Sequence, residues 1–123
     1  MKRFSRFLTL IVLVMAGFSA CYLFSIYDIR GAWNVNVVQG GVTTTSIMVC
    51  SGSKDTGTLT FTLEGDNYTG TYTVQSKKVT ISIQGDTASE WALLEGDFTS
   101  KDDMSGNWSN ADGDSGTWTG VRR

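Results

Sequence analysis

From residue 31 onward, apolar and polar positions alternate with period two, the signature of strands with one dry face. The runs Thr58-Leu59-Thr60-Phe61-Thr62-Leu63 and Val79-Thr80-Ile81-Ser82-Ile83-Gln84 are apolar at every second position, with Thr, Ser or Gln between, so each predicts a half-buried antiparallel strand. Turn-forming clusters separate the runs: Gly65-Asp66-Asn67, Ser76-Lys77, Gly85-Asp86 and Ala111-Asp112-Gly113-Asp114. Counting runs between turns predicts about eight strands, near 31–38, 44–50, 57–64, 67–75, 78–84, 89–98, 103–109 and 115–122. Short connections make consecutive strands pair as a meander, and closing the meander removes its exposed edges. The expected fold is all-β, a small up-and-down antiparallel barrel, closed or nearly closed. The absence of Pro fits continuous ladders, because Pro would remove a ladder donor.

Parity places Trp33, Val35, Val37, Ile47, Val49, Leu59, Phe61, Leu63, Tyr68, Tyr72, Val74, Val79, Ile81, Ile83, Phe98, Met104, Trp108 and Trp118 inside. One strand resists this reading. Glu90-Trp91-Ala92-Leu93-Leu94-Glu95-Gly96-Asp97-Phe98 has apolar groups on both faces, which predicts a bulge at Gly96, with Trp91 and Leu93 sharing a face before it and Phe98 rejoining the core after it. A short helix over 89–94 is the alternative.

Three Gly-x-Trp units punctuate the strands, Gly31-Ala32-Trp33, Gly106-Asn107-Trp108 and Gly116-Thr117-Trp118, with Gly70-Thr71-Tyr72 as a relative. A missing side chain two positions before a large ring lets a neighbouring strand's ring lie across the glycine and relieves crowding where a narrow barrel curves. The unit reads first as architecture and second as a stacking surface, for which Trp33, Tyr72, Trp91, Trp108 and Trp118 are the candidates. Ile29-Arg30-Gly31-Ala32-Trp33 resembles the start of the first strand in the calycin group, the lipocalins, fatty-acid-binding proteins and avidins. That resemblance implies a ligand-binding barrel whose base is closed by an Arg packed over the Trp, a role open here to Arg122 or Arg123.

The N-terminal stretch departs from the pattern. Lys2, Arg3 and Arg6 precede an apolar run from Phe7 to Phe18, and Ser19-Ala20-Cys21 follows. The run is too short to span a bilayer comfortably as a helix, and the whole resembles a bacterial lipoprotein signal peptide. The resemblance implies removal of a signal helix over 1–20, acylation (palmitate or a similar chain) of Cys21, a linker over 21–29 and a barrel over 30–123. It also implies an exported, envelope-anchored protein, on the outer membrane where the cell has one, since Tyr22 stands where inner-membrane retention uses Asp.

Seven basic residues against twelve acidic ones follow residue 20, a net charge of −5 that argues against a nucleic-acid partner and offers no polybasic patch for lipid. The chain contains no His, so no His-based nucleophile pair exists, and Cys50 reads as a strand thiol. Carboxylates cluster beside glycines as turn residues do. Asn110-x-Asp112-x-Asp114 superficially follows a calcium loop, yet Gly116 is one position late and Val121 occupies the place of the bidentate Glu. No cofactor is implied. The expected function is non-catalytic binding of a small apolar or aromatic ligand; the alternative is a solidly packed scaffold that meets another envelope protein. A transmembrane barrel with rings outward would need strands of about 9 to 11 residues, longer than most of these runs.

Overall fold

The computed structural model describes residues 26–85 and 91–123. Within them the alternating runs form β1 (Gly31–Gln39), β2 (Val42–Gly52), β3 (Thr56–Leu63), β4 (Asp66–Gln75), β5 (Lys78–Gln84), β6 (Trp91–Ser100), β7 (Asp103–Asn110) and β8 (Ser115–Arg122). Each strand pairs antiparallel with the next, and β8 returns to β1, so the sheet is a closed up-and-down barrel without an edge. Closure runs from Trp33 opposite Arg122 to Val38 opposite Thr117. In two hairpins both turn residues have positive φ, Gly40-Gly41 at 58° and 83° and Glu64-Gly65 at 51° and 87°, the signs that match the twist of antiparallel strands, and in the β4–β5 turn Ser76 has φ 60°. Glu64 is thus a non-glycine residue in a left-handed conformation.

The topology gives the barrel two unlike ends. The β1–β2, β3–β4 and β7–β8 turns share one end, the mouth; the incoming chain, the β2–β3, β4–β5 and β6–β7 turns and the C-terminus share the other, the terminal end. Apolar residues fill the interior and the Thr-rich face points outward: Leu59 and Phe61 are buried, Thr58 and Thr60 exposed. The core extends past β1, because Ile29 is buried and Tyr27 stacks on Phe98 with ring centroids 4.8 Å apart and planes 8° from parallel. The stretch over 21–29 expected to be linker therefore contributes two packed side chains. Cys21 and the expected signal segment over 1–20 lie outside the described residues.

Two strands differ from the expected parity. In β2, Ser46, Met48 and Cys50 face inward, while Ile47 is half-buried and Val49 exposed. Ile47-Met48-Val49-Cys50 is apolar throughout, so hydropathy leaves its parity open, and the register with β1 decides it by setting Met48 opposite Trp33 and Cys50 opposite Gly31. The buried Ser46 hydroxyl is satisfied by donating to the Val35 carbonyl at 3.1 Å. In β6, pairing runs unbroken through Gly96, opposite Val79 and Gly106, and the register shifts only between Phe98 and Ser100. Leu94 and Phe98 share the inner face, and Trp91 and Leu93 point the other way, so no bulge at Gly96 is needed to seat Phe98. Trp91–Leu94 is strand, which removes the helical alternative there; 89 and 90 are outside the described residues.

Candidate ligand-binding cavity

The terminal end is sealed by one side chain. The Arg122 guanidinium lies over the Trp33 ring, its central carbon 4.3 Å from the centroid. It donates from Nε to Asp102 Oδ1 at 2.9 Å, from Nη1 to the Arg30 carbonyl at 3.1 Å, and from Nη2 to the carbonyls of Asp28 at 2.5 Å and Lys101 at 3.0 Å. One fork thereby ties the incoming chain, β1 and the β6–β7 turn together. Beneath it Trp33 donates its indole N–H to the Ile29 carbonyl at 2.8 Å, which fixes the segment preceding β1. Arg123 is exposed and contributes its backbone, donating to the Ala32 carbonyl at 3.0 Å. Arg30 is engaged with Asp28, and the Arg30 side-chain hydrogen bond is the main reason the Asp28 carboxyl is held down to about 2.

Further aromatic side chains are set by glycines on the neighbouring strand. Tyr72 pairs with Gly57 and donates its hydroxyl to the Ser53 carbonyl at 2.6 Å; a Cβ at Gly57 would come 2.7 Å from the ring carbon that bears that hydroxyl. Trp108, opposite Gly116, reaches across β8 to the Val38 carbonyl of β1 at 3.0 Å. A Cβ at Gly116 would sit 2.7 Å from that indole nitrogen. Trp118 lies opposite Gly106 and donates to the carbonyls of Asn107 at 3.1 Å and Glu95 at 3.3 Å. Gly57 and Gly116 make room for rings, and each of the three rings brings a donor that a backbone carbonyl satisfies.

Above this packed section the mouth opens into a cavity of about 750 Å³, within the range that small-molecule sites occupy. Its wall is Val37, Phe61, Leu63, Tyr68, Ile83, Ala92, Leu94 and Trp108, and Trp91, Gln39, Val42, Thr44, Glu64, Asn110 and Asp112 also line it. Of the five aromatic candidates, Trp108 lines the cavity from the inner face and Trp91, on the outward parity of β6, borders it at the rim, whereas Trp33, Tyr72 and Trp118 are buried outside it. Trp91 keeps 43 % of its surface exposed and Trp108 only 8 %. Phe61 and Tyr68, which face each other across β3 and β4, complete the aromatic lining; their inward parity was readable, but nothing local in the sequence assigned them to the mouth.

Two other candidate chemistries resolve into structure. Asn110 Oδ1 accepts the backbone N–H groups of Asp112 at 3.0 Å and Asp114 at 2.9 Å, so this side chain organises the β7–β8 turn. Cys50 is buried opposite Gly31, and desolvation pushes its thiol up to about 12, with Arg122 opposing weakly, so it is no thiolate at neutral pH.

No protein-family model and no curated protein matches the sequence. Among solved structures the chain is similar to a redesigned beta barrel, with a TM-score of 0.67 and 17 % identity over 81 % of this chain and 99 % of that one. It is also similar to the redesigned beta barrel mFAP1 bound to DFHBI, with a TM-score of 0.62 and 18 % identity over 85 % and 98 % of the two chains. EF1p2_mFAP2b bound to DFHBI has a TM-score of 0.60 and 17 % identity over 85 % and 97 %. At such identities the likeness is one of fold, and it agrees with the strand order and closure described above.

Proposed function

We propose that this chain is a non-catalytic binding barrel that takes a small apolar or aromatic ligand in its mouth. The carrying observation is the contrast in filling: rings and a guanidinium seal one end, while the other holds an open cavity of about 750 Å³ lined by Phe61, Tyr68, Trp91 and Trp108. That two barrels of similar fold are bound to DFHBI, a small aromatic ligand, supports the use of this architecture as a container. The absence of His from the sequence and a protonated, buried Cys50 support binding over catalysis.

Native mass spectrometry of the gently purified chain tests the reading. An adduct of a few hundred daltons that is lost on denaturation, and lost in Trp108→Ala, is expected. A bare mass that persists after incubation with a cell lipid extract would instead favour a scaffold that meets an envelope protein.

We also propose that Cys21 carries a lipid anchor and that the chain is exported to the cell envelope, the outer membrane where one exists. Five positions separate Cys21 from Ile26, where the described chain approaches the terminal end, so an anchor would hold that end near the bilayer and turn the mouth away. Labelled palmitate should be incorporated into the wild type and not into Cys21→Ser.

A further inference from the structure

Charge is segregated along the barrel axis. All seven Lys and Arg among the described residues belong to the terminal end: Lys54 in the β2–β3 turn, Lys77 and Lys78 at the β4–β5 turn, Lys101 in the β6–β7 turn, and Arg30, Arg122 and Arg123 near the chain ends. Among the described residues the mouth carries only acids, Glu64 and Asp66 at the β3–β4 turn and Asp112 and Asp114 in the β7–β8 turn. Glu64 and Asp112 line the cavity itself. The ion pairs among the described residues, Arg30 with Asp28 and Arg122 with Asp102, are both at the terminal end, so neither lining carboxylate is neutralised by a base. The Ala111 N–H donates to the Trp91 carbonyl at 3.2 Å, which ties the β7–β8 turn that carries Asp112 to the start of β6.

The cavity therefore combines an apolar interior, the inward rings of Phe61, Tyr68 and Trp108, and a lip of one sign with Trp91 at its edge. An inorganic cation would have to shed water against carbon, which is unfavourable, and an anionic ligand would meet only like charge. Aromatic faces and carboxylates both attract a weakly hydrated organic cation. On the reading of this cavity as a ligand site, we propose that its ligand is an amine or other organic cation on an apolar or aromatic body, with the body in the cavity and the charge at the acidic lip, in the field of Glu64 on one side of the mouth and Asp112 on the other.

Three matched probes test this against the purified full chain by titration calorimetry and indole fluorescence: 4-phenylbutylammonium, 4-phenylbutan-1-ol and 4-phenylbutyrate. The ammonium should bind about five- to tenfold more tightly than the alcohol, and the carboxylate most weakly, the scale expected of two partly solvated charges. The advantage should fall to about twofold in Glu64→Asn/Asp112→Asn and at high salt. Asn suits the left-handed turn position of Glu64, so the variant keeps its hairpin, and an unchanged melting temperature verifies this. Equal binding of ammonium and alcohol would overturn the charge selectivity while leaving the cavity as a binding site; failure of all three probes to bind would overturn both.

Discussion

At the terminal end of the barrel an indole is fully buried, its N–H given to Ile29 and its face covered by Arg122, whereas at the mouth the Trp91 indole stands half open beside a cavity. The same residue type serves closure in one place and contact in the other. What differs is the number of constraints. Trp33 is fixed by a hydrogen bond, a guanidinium and the edge of Phe98, with centroids 6.0 Å apart at 64°, while among the described residues Trp91 is held through its backbone, paired with Gln84 and accepting from the Ala111 N–H. Stability should therefore reside in the terminal end and the packed middle, and binding in the mouth.

The sharpest way to break that contrast is to remove a ring from each region. Trp118→Ala deletes a fully buried indole and leaves the Glu95 and Asn107 carbonyls without their donor, so it should cost about 3–5 kcal/mol in urea unfolding. Trp91→Ala should cost less than about 1 kcal/mol, because much of the ring is already in water, yet weaken ligand binding about tenfold. A stability loss at Trp91 as large as at Trp118 would mean that the mouth is core and that no division of labour exists.

The next contrast is within two consecutive residues. Arg122→Ala removes four hydrogen bonds and the cover of Trp33, and should destabilise by about 2–3 kcal/mol, whereas Arg123→Ala should leave the melting temperature unmoved. Arg122→Lys should recover only part of the loss, since an ammonium cannot reproduce the fork. Cys50 supplies an independent readout, because its buried thiol should react with thiol reagents only when the terminal end opens, and faster in Arg122→Ala.

Much of this architecture is written locally. Strict alternation in Thr58–Leu63 and Val79–Gln84 determines both the strand and its inner face, and the short turns determine the meander. The β2 parity was not legible, because four consecutive apolar residues satisfy either face until Trp33 selects Met48 across the ladder. Gly96 misled for a related reason: a glycine on an ambiguous strand reads as a bulge, but here it faces Gly106 so that neighbouring backbones can approach. The cavity was the least legible part. Whether an inward ring seals or lines depends on its height along the barrel, and that height follows from register over all eight strands.

The smallest expected effect separates side-chain electrostatics from the backbone clamp at the terminal end. The Asp28 carboxyl is held down to about 2, chiefly by the side-chain hydrogen bonds of Arg30, against which desolvation acts, with help from the Arg30 backbone N–H. Its folded value lies below its unfolded value of about 3.9, so the unfolded chain binds the extra proton first. This contribution is present above about pH 4 and is lost as pH falls through about 2. Asp28 is 39 % exposed, so solvent screening reduces the contribution to less than about 1 kcal/mol. Asp28→Asn should therefore lower stability slightly at pH 5 and converge on the wild type near pH 2. It leaves the Asp28 carbonyl free to accept from Arg122, so the clamp persists, and ligand affinity at the mouth should not move. A loss at pH 5 matching that of Arg122→Ala would show that the carboxylate, rather than the guanidinium fork, closes this end.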